Sequence, residues 1–285
     1  MRKLSVQWFP GHMTKAFRMM EKELSLIDVA VEMLDARIPY SSSNPKLLEV
    51  LGEKPRIIAL NKYDLADPYV TEEWVEHYAQ SGIPVVFLNS AKGKGIKELL
   101  AAIKKAALPI TEKWLKKGVK NKSIRVMITG IPNVGKSSLI NRFLSTAKVR
   151  TENRPGVTRG KQWLSVGGGL EILDTPGVLW PKFEDQEIAF ALAITGAIRD
   201  EVFDIEQAVL MLVDFLLAEY PALLEQRYNI KIETKDDAEA VCAMIAGKRG
   251  CIRSGGVIDM VKTAQLILKE FRSGALGRIT LEKYI

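Results

Sequence analysis

Histidine and cysteine are nearly absent from this chain of 285 residues, with two of each. Cys242 and Cys251 cannot build a disulfide framework, and so low a count suits a reducing compartment. With no paired histidines beside them, they offer too few ligands for a tetrahedral zinc site. No apolar run reaches the ~18 residues needed to span a bilayer. The N-terminal MRKLSVQWFPGHM lacks the long apolar core of a secretion signal. These absences lead us to expect a soluble cytoplasmic protein with no membrane partner. Internal repeats and low-complexity segments are missing too.

What is present is an ordinary globular balance, 47% hydrophobic and 26% charged. The length allows two domains and a core that needs no staples. Lys and Arg outnumber Asp and Glu by 41 to 34, giving a net charge of +7. That excess favours a polyanionic partner such as nucleic acid.

Short apolar runs alternate with helical stretches from about residue 27. The runs are 29–34, 56–60, 85–88 and 125–130. Between them PKLLEVL, TEEWVEHYAQ and IKELLAAIKKAAL carry apolar residues at three- and four-residue spacing. This alternation predicts a mainly parallel sheet with helices on both faces. WLSVGGGLEILDTPG predicts a hairpin turning at 167–169, its second strand ending at Asp174. The basic stretch 113–122 has few apolar residues and reads as a surface connection. From about 184 all patterns are helical, punctuated by Pro221 and RGCIRSGG. The expected fold is therefore an α/β domain over 1–183 followed by a smaller all-α domain over 184–285.

GIPNVGKS at 130–137 fits G-x-x-x-x-G-K-[ST], with a strand pattern before it and a helical one after. Gly130 and Gly135 let the loop wrap, so that N–H groups from Asn133, Val134, Gly135, Lys136, Ser137 and Ser138 converge on phosphate. Lys136 should reach the β- and γ-phosphates, and the Ser137 hydroxyl should ligate Mg²⁺. DTPG at 174–177 ends the second hairpin strand; Asp174 can hold a magnesium-bound water and the Gly177 N–H can meet the γ-phosphate. Between them, in RPGVTRG, Thr158 is the candidate to complete the Mg²⁺ shell.

NKYD at 61–64 follows the second apolar run. Asp64 can accept hydrogen bonds from both the guanine N1–H and the exocyclic amine, a donor pair adenine lacks, which selects GTP and GDP. Asn61 can bridge the purine edge to the phosphate loop, and the Lys62 stem can cover the base. NSAKGKG follows the next run. Its Ser90, Ala91 and Lys92 complete the base pocket, with the Ala91 N–H facing guanine O6. The base reader thus precedes the phosphate loop, the reverse of the usual GTPase order. Because a ligand crevice lies at the carboxyl ends of parallel strands, chain order does not matter to it. The sequence reads as a circularly permuted GTPase, with its DTPG switch directly before the helical domain.

These motifs, together with WFPGHM (8–13), LDARIP (34–39), DTPGVLWPKF and GKRGCIRSGG, make the chain resemble the circularly permuted GTPases of the YlqF type over most of its length. The resemblance implies a GTP-hydrolysing factor for late assembly of the large ribosomal subunit, which binds rRNA on the particle and leaves after hydrolysis. It implies neither a DNA partner nor a membrane partner, and a monomer is expected. It also implies a hydrophobic-substituted GTPase, since Val178 stands where many GTPases carry a water-orienting Gln. His12 then either positions the water or serves as a loop residue near RNA; His77 reads as an exposed helix residue. By the same resemblance Asn133 either helps hold K⁺ or makes ordinary loop hydrogen bonds.

Lys15, Arg18 and Lys22 fall on one helix face opposite Met13, Ala16, Met20 and Leu24, a stripe that either meets phosphate or is simply solvated. Lys248, Arg249 and Arg253 cluster among glycines and could approach an RNA backbone. Trp180 to Phe183 reads as packing between domains. Two other functions compete: a GTP-regulated module acting on another RNA with hydrolysis incidental, and a GTPase acting on tRNA or small-subunit rRNA. Stimulated turnover separates the assembly factor from the first, and choice of particle from the second.

Overall fold

A computed structural model describes residues 4, 11–120, 122–146, 163–179 and 185–283; the side chains of 11–16, 146 and 174 lie outside that description. A six-stranded sheet is built from β1 (Val29–Asp35), β2 (Arg56–Asn61), β3 (Val85–Leu88), β4 (Ile124–Gly130), β5 (Trp163–Ser165) and β6 (Leu170–Asp174). Its order is β3-β2-β1-β4-β6-β5, parallel except for the β5–β6 hairpin at one edge. Every residue of β1 is buried, as a central strand covered on both faces requires. The register brings Asp35 beside Asn61, Asn61 beside Leu88, and Met33 beside Gly130. All the loops named above therefore leave the sheet at the same edge.

The covering helices of this half are α1 (Gly11–Glu23), α2 (Pro39–Ser42), α3 (Pro45–Leu51), α4 (Pro68–Gln80), α5 (Ile96–Ala106), α6 (Leu108–Lys116) and α7 (Lys136–Thr146). Side-chain caps fix several starts. Asn44 accepts from the N–H groups of Lys46 and Leu47 ahead of α3, and Asp67 accepts from Tyr69 N–H ahead of α4. A proline sits in the first turn of each, where its missing N–H costs nothing. The second half contains α8 (Gln186–Ile194), α9 (Ile205–Glu219), α10 (Pro221–Tyr228), α11 (Ala238–Arg249) and α12 (Met260–Ser273). Asp185, Asp204, Asp237 and Asp259 cap α8, α9, α11 and α12. Among the described residues, no single helix is long and apolar enough to cross a membrane.

Four details depart from the sequence expectation. The stretch 113–122 is not simply a connection, because α6 runs to Lys116. Its Lys, Glu and Leu residues are good helix formers, and none of them needs burial for the helix to form. Pro221 does not merely break a helix; it begins α10. On α1, Phe17 and Met20 are buried apolar residues and Arg18 and Lys22 are exposed, whereas Leu24, just past the helix, is only partly buried. The side chains of Met13, Ala16 and Lys15 fall outside the described residues. Finally, the chain after α12 does not stay with the helices. Residues 278–282 return across the first half and bond to the segments 37–41 and 63–67. One apolar core likewise joins the sheet to α8, α9, α11 and α12.

Candidate nucleotide site

The phosphate loop bends between β4 and α7. Asn133 takes φ +56°, Gly130 +148° and Gly135 +110°. A Cβ at Gly135 would lie 2.3 Å from Asn61 Nδ2 and 2.8 Å from Ser90 Oγ, so only glycine lets the phosphate loop close on the segments that carry NKYD and NSAKGKG. Gly177 approaches from the DTPG side; a Cβ there would meet Lys136 Nζ and Pro132 Cα, each at 2.8 Å. The result is a cleft of about 750 Å³ whose lining includes Pro132, Asn133, Gly135, Lys136, Ser137, Ser138, Gly177 and, from α1, Met19. Lys136 is buried, and its Nζ donates to the carbonyls of Gly130 (3.1 Å) and Ile131 (2.8 Å). Ser137 is exposed at the first turn of α7, and the Val134 side chain is buried beneath the loop.

Asn61 links the two halves. Its Nδ2 donates to Val134 O (2.6 Å) and Ser90 Oγ (3.0 Å), and its Oδ1 accepts from Ser90 N–H (2.9 Å). All three bonds are buried, where their loss would leave polar groups without water. Asp64 is partly exposed and pairs with Lys92 Nζ at 3.1 Å. Asn89 Oδ1 accepts from Lys92 N–H at 2.8 Å, shaping the 89–95 loop. Arg142 of α7 donates to Ala91 O and so ties that loop to the phosphate side.

Lys62 also has positive φ, +58°. Its Nζ lies 2.8 Å from Asp35 Oδ2, and the same carboxylate forks onto Arg37 through Nε (2.9 Å) and Nη2 (2.8 Å). Burial alone would raise the Asp35 pKa. The two cations outweigh it and hold the carboxyl well below the usual carboxylate range. Asp35, Arg37 and Arg142 carry no role in the sequence reading. Their only signal was charge inside the otherwise apolar run LDARIP and mid-helix in α7.

Val178 is buried against the same apolar cluster as Phe17 and Met20 of α1, and its carbonyl accepts from Asn44 Nδ2 at 3.1 Å. The residue that replaces a water-orienting Gln therefore packs beneath α1. Asn133 Nδ2 donates to Gly196 O, just past α8, at 2.7 Å, so a loop hydrogen bond does hold this side chain. Arg249 and Arg253 are exposed but engaged: Arg249 donates to Arg227 O, and Arg253 pairs with Asp259 at 3.0 Å. His77 lies in the last turn of α4, where its ring packs edge-on to Trp74 at 5.8 Å. Thr158, Trp180 and Phe183 lie outside the described residues, as do the side chains of His12 and Asp174.

Residues 125–245, which hold the phosphate loop and DTPG but not NKYD, match the family model described as 50S ribosome-binding GTPase. The chain is 45% identical to ribosome biogenesis GTPase A of Priestia megaterium over 98% of this chain and 97% of that one. It is 31% identical to the protein of the same name from Thermotoga maritima, over 98% and 94%. The crystal structure of GNP-bound YlqF from T. maritima superposes with a TM-score of 0.65 at 27% identity, covering 94% of this chain and 98% of that one. The chain belongs to the ribosome biogenesis GTPase A family, the circularly permuted GTPases of the YlqF type.

Proposed function

We propose that this GTPase acts late in assembly of the large ribosomal subunit, binding rRNA on the particle and leaving once GTP is hydrolysed. The full-length relationship to ribosome biogenesis GTPases carries this reading. The site supports it: the base-reading loops and the phosphate loop are locked together through Asn61. In this reading Asp64 selects guanine, the Ala91 N–H faces its O6, and the Lys62 stem covers the ring. Lys136 and the N–H groups of 133–138 hold the phosphates. The glycines at 135 and 177 let the phosphate loop close against Asn61 and Ser90 on one side and let DTPG close against Lys136 and Pro132 on the other.

Ser137, Thr158 and Asp174 would hold Mg²⁺, which would neutralise charge developing on the β- and γ-phosphates. Asn133 would offer its Oδ1 to K⁺ while Nδ2 stays on Gly196. Val178 cannot orient water, which leaves His12 as the group we assign to that task. Met19 of the same helix already lines the cleft, and position 12 lies seven residues before it, about two turns and on the same face. Exposed basic residues on α1, α6 and the α11–α12 loop would meet rRNA.

The test is GTP turnover by wild type and His12→Ala, each with large or small subunits. Stimulation of the wild type alone, by large subunits alone, supports the reading, provided the variant still binds particles. If large subunits accelerate neither protein, the assembly-GTPase reading fails.

A further inference from the structure

The loop that carries Asp64 is bonded at four of its five residues by the far end of the chain. Arg278 spans it, donating from Nε to Ala66 O (2.7 Å) and from Nη2 to Tyr63 O (3.1 Å). Ile279 N–H donates to Leu65 O (2.9 Å), and Asp67 N–H donates to Thr280 Oγ1 (3.0 Å). Every residue from 63 to 67 except Asp64 thus exchanges a hydrogen bond with 278–280. Gly274, at the end of α12, sits so close that a Cβ there would lie 2.5 Å from Leu65 Cδ2.

A second layer continues inward. Leu281 N–H donates to Arg37 O (2.8 Å), and the Glu282 carboxylate accepts from the N–H groups of Tyr40 (2.7 Å) and Ser41 (3.0 Å). The Arg37 guanidinium lies over the Phe271 ring of α12, 5.2 Å from its centroid, and forks onto the carboxylate that holds Lys62. Lys62 is itself in a left-handed conformation that a non-glycine residue keeps only when its surroundings over-determine it. Its own contacts are with Asp35 of β1 and, through its carbonyl, with Leu65 N–H; α12 and the tail brace it at one remove, through Arg37 and Leu65.

We propose that residues 278–282, with Asp35 and Arg37 as the inner brace, are positioning residues for guanine recognition. They hold Lys62 and Asp64 where the base is read, and so couple guanine affinity to the docking of α12. This rests on reading Asp64 as the base reader. Without the tail, the carbonyls of 63, 65 and 66 lose their partners and the loop can shift, while the phosphate loop keeps its own glycine-lined geometry. Loss of the tail should therefore weaken reading of the base and spare the grip on phosphate. A partner that displaces α12 would loosen the same grip.

The test compares dissociation constants for GDP and for inosine diphosphate, which lacks the exocyclic amine, in wild type, Arg278→Ala, Arg278→Lys and Asp35→Asn. Melting curves establish that each is folded, and exposed Arg278 is the variant safest on that count. The ratio of the two constants should fall up to about ten-fold in Arg278→Ala, the scale of one hydrogen bond to a charged group. Arg278→Lys should restore part of it, and affinity for inorganic pyrophosphate should not move. Equal weakening of both nucleotides, or no change in either, overturns the proposal. Asp64→Asn separates the two readings. If it leaves the ratio unchanged, the base-reader assignment fails and this proposal with it. If it abolishes the preference while Arg278→Ala does not alter it, only the positioning proposal fails.

Discussion

Removing the side chain of Asn61 is the most direct perturbation of the bridge between base and phosphate loops. Asn61→Ala deletes three buried hydrogen bonds, to Val134 O, Ser90 Oγ and Ser90 N–H. At about 1 kcal/mol net for each, with Val134 O and Ser90 N–H left unpaired, the loss comes to about 2–4 kcal/mol. Part of it should appear in folding stability and part in nucleotide binding, because a loop no longer held in place must be ordered by the ligand. Denaturant unfolding of the free protein and titration with GDP measure the two separately. We expect a lower unfolding midpoint and at least ~10-fold weaker GDP binding. Ser90→Ala serves as the internal scale. It removes only the hydroxyl acceptor and keeps the N–H to Asn61 Oδ1, so it should cost about 0.5–1.5 kcal/mol. Should Asn61→Ala lose under ~0.5 kcal/mol, with GDP binding intact, the loops are held independently and the bridge is incidental.

Gly177→Ala pushes a methyl group into Lys136 Nζ and Pro132. It should slow GTP turnover on the order of 10²-fold and weaken GDP binding less, since the Gly177 N–H proposed for the γ-phosphate is displaced with the backbone whereas the Lys136 side chain, proposed to reach the β-phosphate too, can swing aside; equal loss of both would contradict this. Val178→Gln buries an amide among Phe17, Met20 and Leu173. We expect about 2–4 kcal/mol of destabilisation and no gain in intrinsic turnover, and a faster enzyme would refute the packing account. Burial pushes the Glu282 carboxyl up from 4.5 to about 7, with Asp35 adding repulsion against the bonds from Ser41 and Tyr40. A group that binds its proton more tightly when docked contributes stability at low pH, which is lost as pH rises from about 4.5 through about 7. The melting temperature of wild type should therefore fall relative to Glu282→Gln between pH 5 and 8, and a flat difference would dismiss the shift.

Much of the site was legible in the residues because its chemistry is local. A P-loop needs glycines at fixed offsets, a lysine and a hydroxyl after a strand, and GIPNVGKS supplies them within eight positions. NKYD and NSAKGKG likewise sit directly at strand ends, and parallel strands deliver their carboxyl ends to one edge whatever the chain order. The permuted arrangement could thus be read without coordinates. The reach of α6 could not. A short helix with no buried residue has no core contact to mark where it ends, and sequence pattern places such ends poorly.

What only the tertiary structure decided are the contacts between residues far apart in the chain. The sequence shows Asp35 and Arg37 as two charges in LDARIP, but their partners are Lys62 and Phe271. It shows Val178 as a missing glutamine, but not that Phe17 and Met20 pack around the same core. It assigns 184–285 to helices, yet residues 278–280 bond to 63–67 across more than 200 positions. Periodicity and motif spacing report forces acting within a few residues. Such distant pairings follow from the shape of the whole core, which brings the chain after α12 back to the edge of the sheet where NKYD leaves β2.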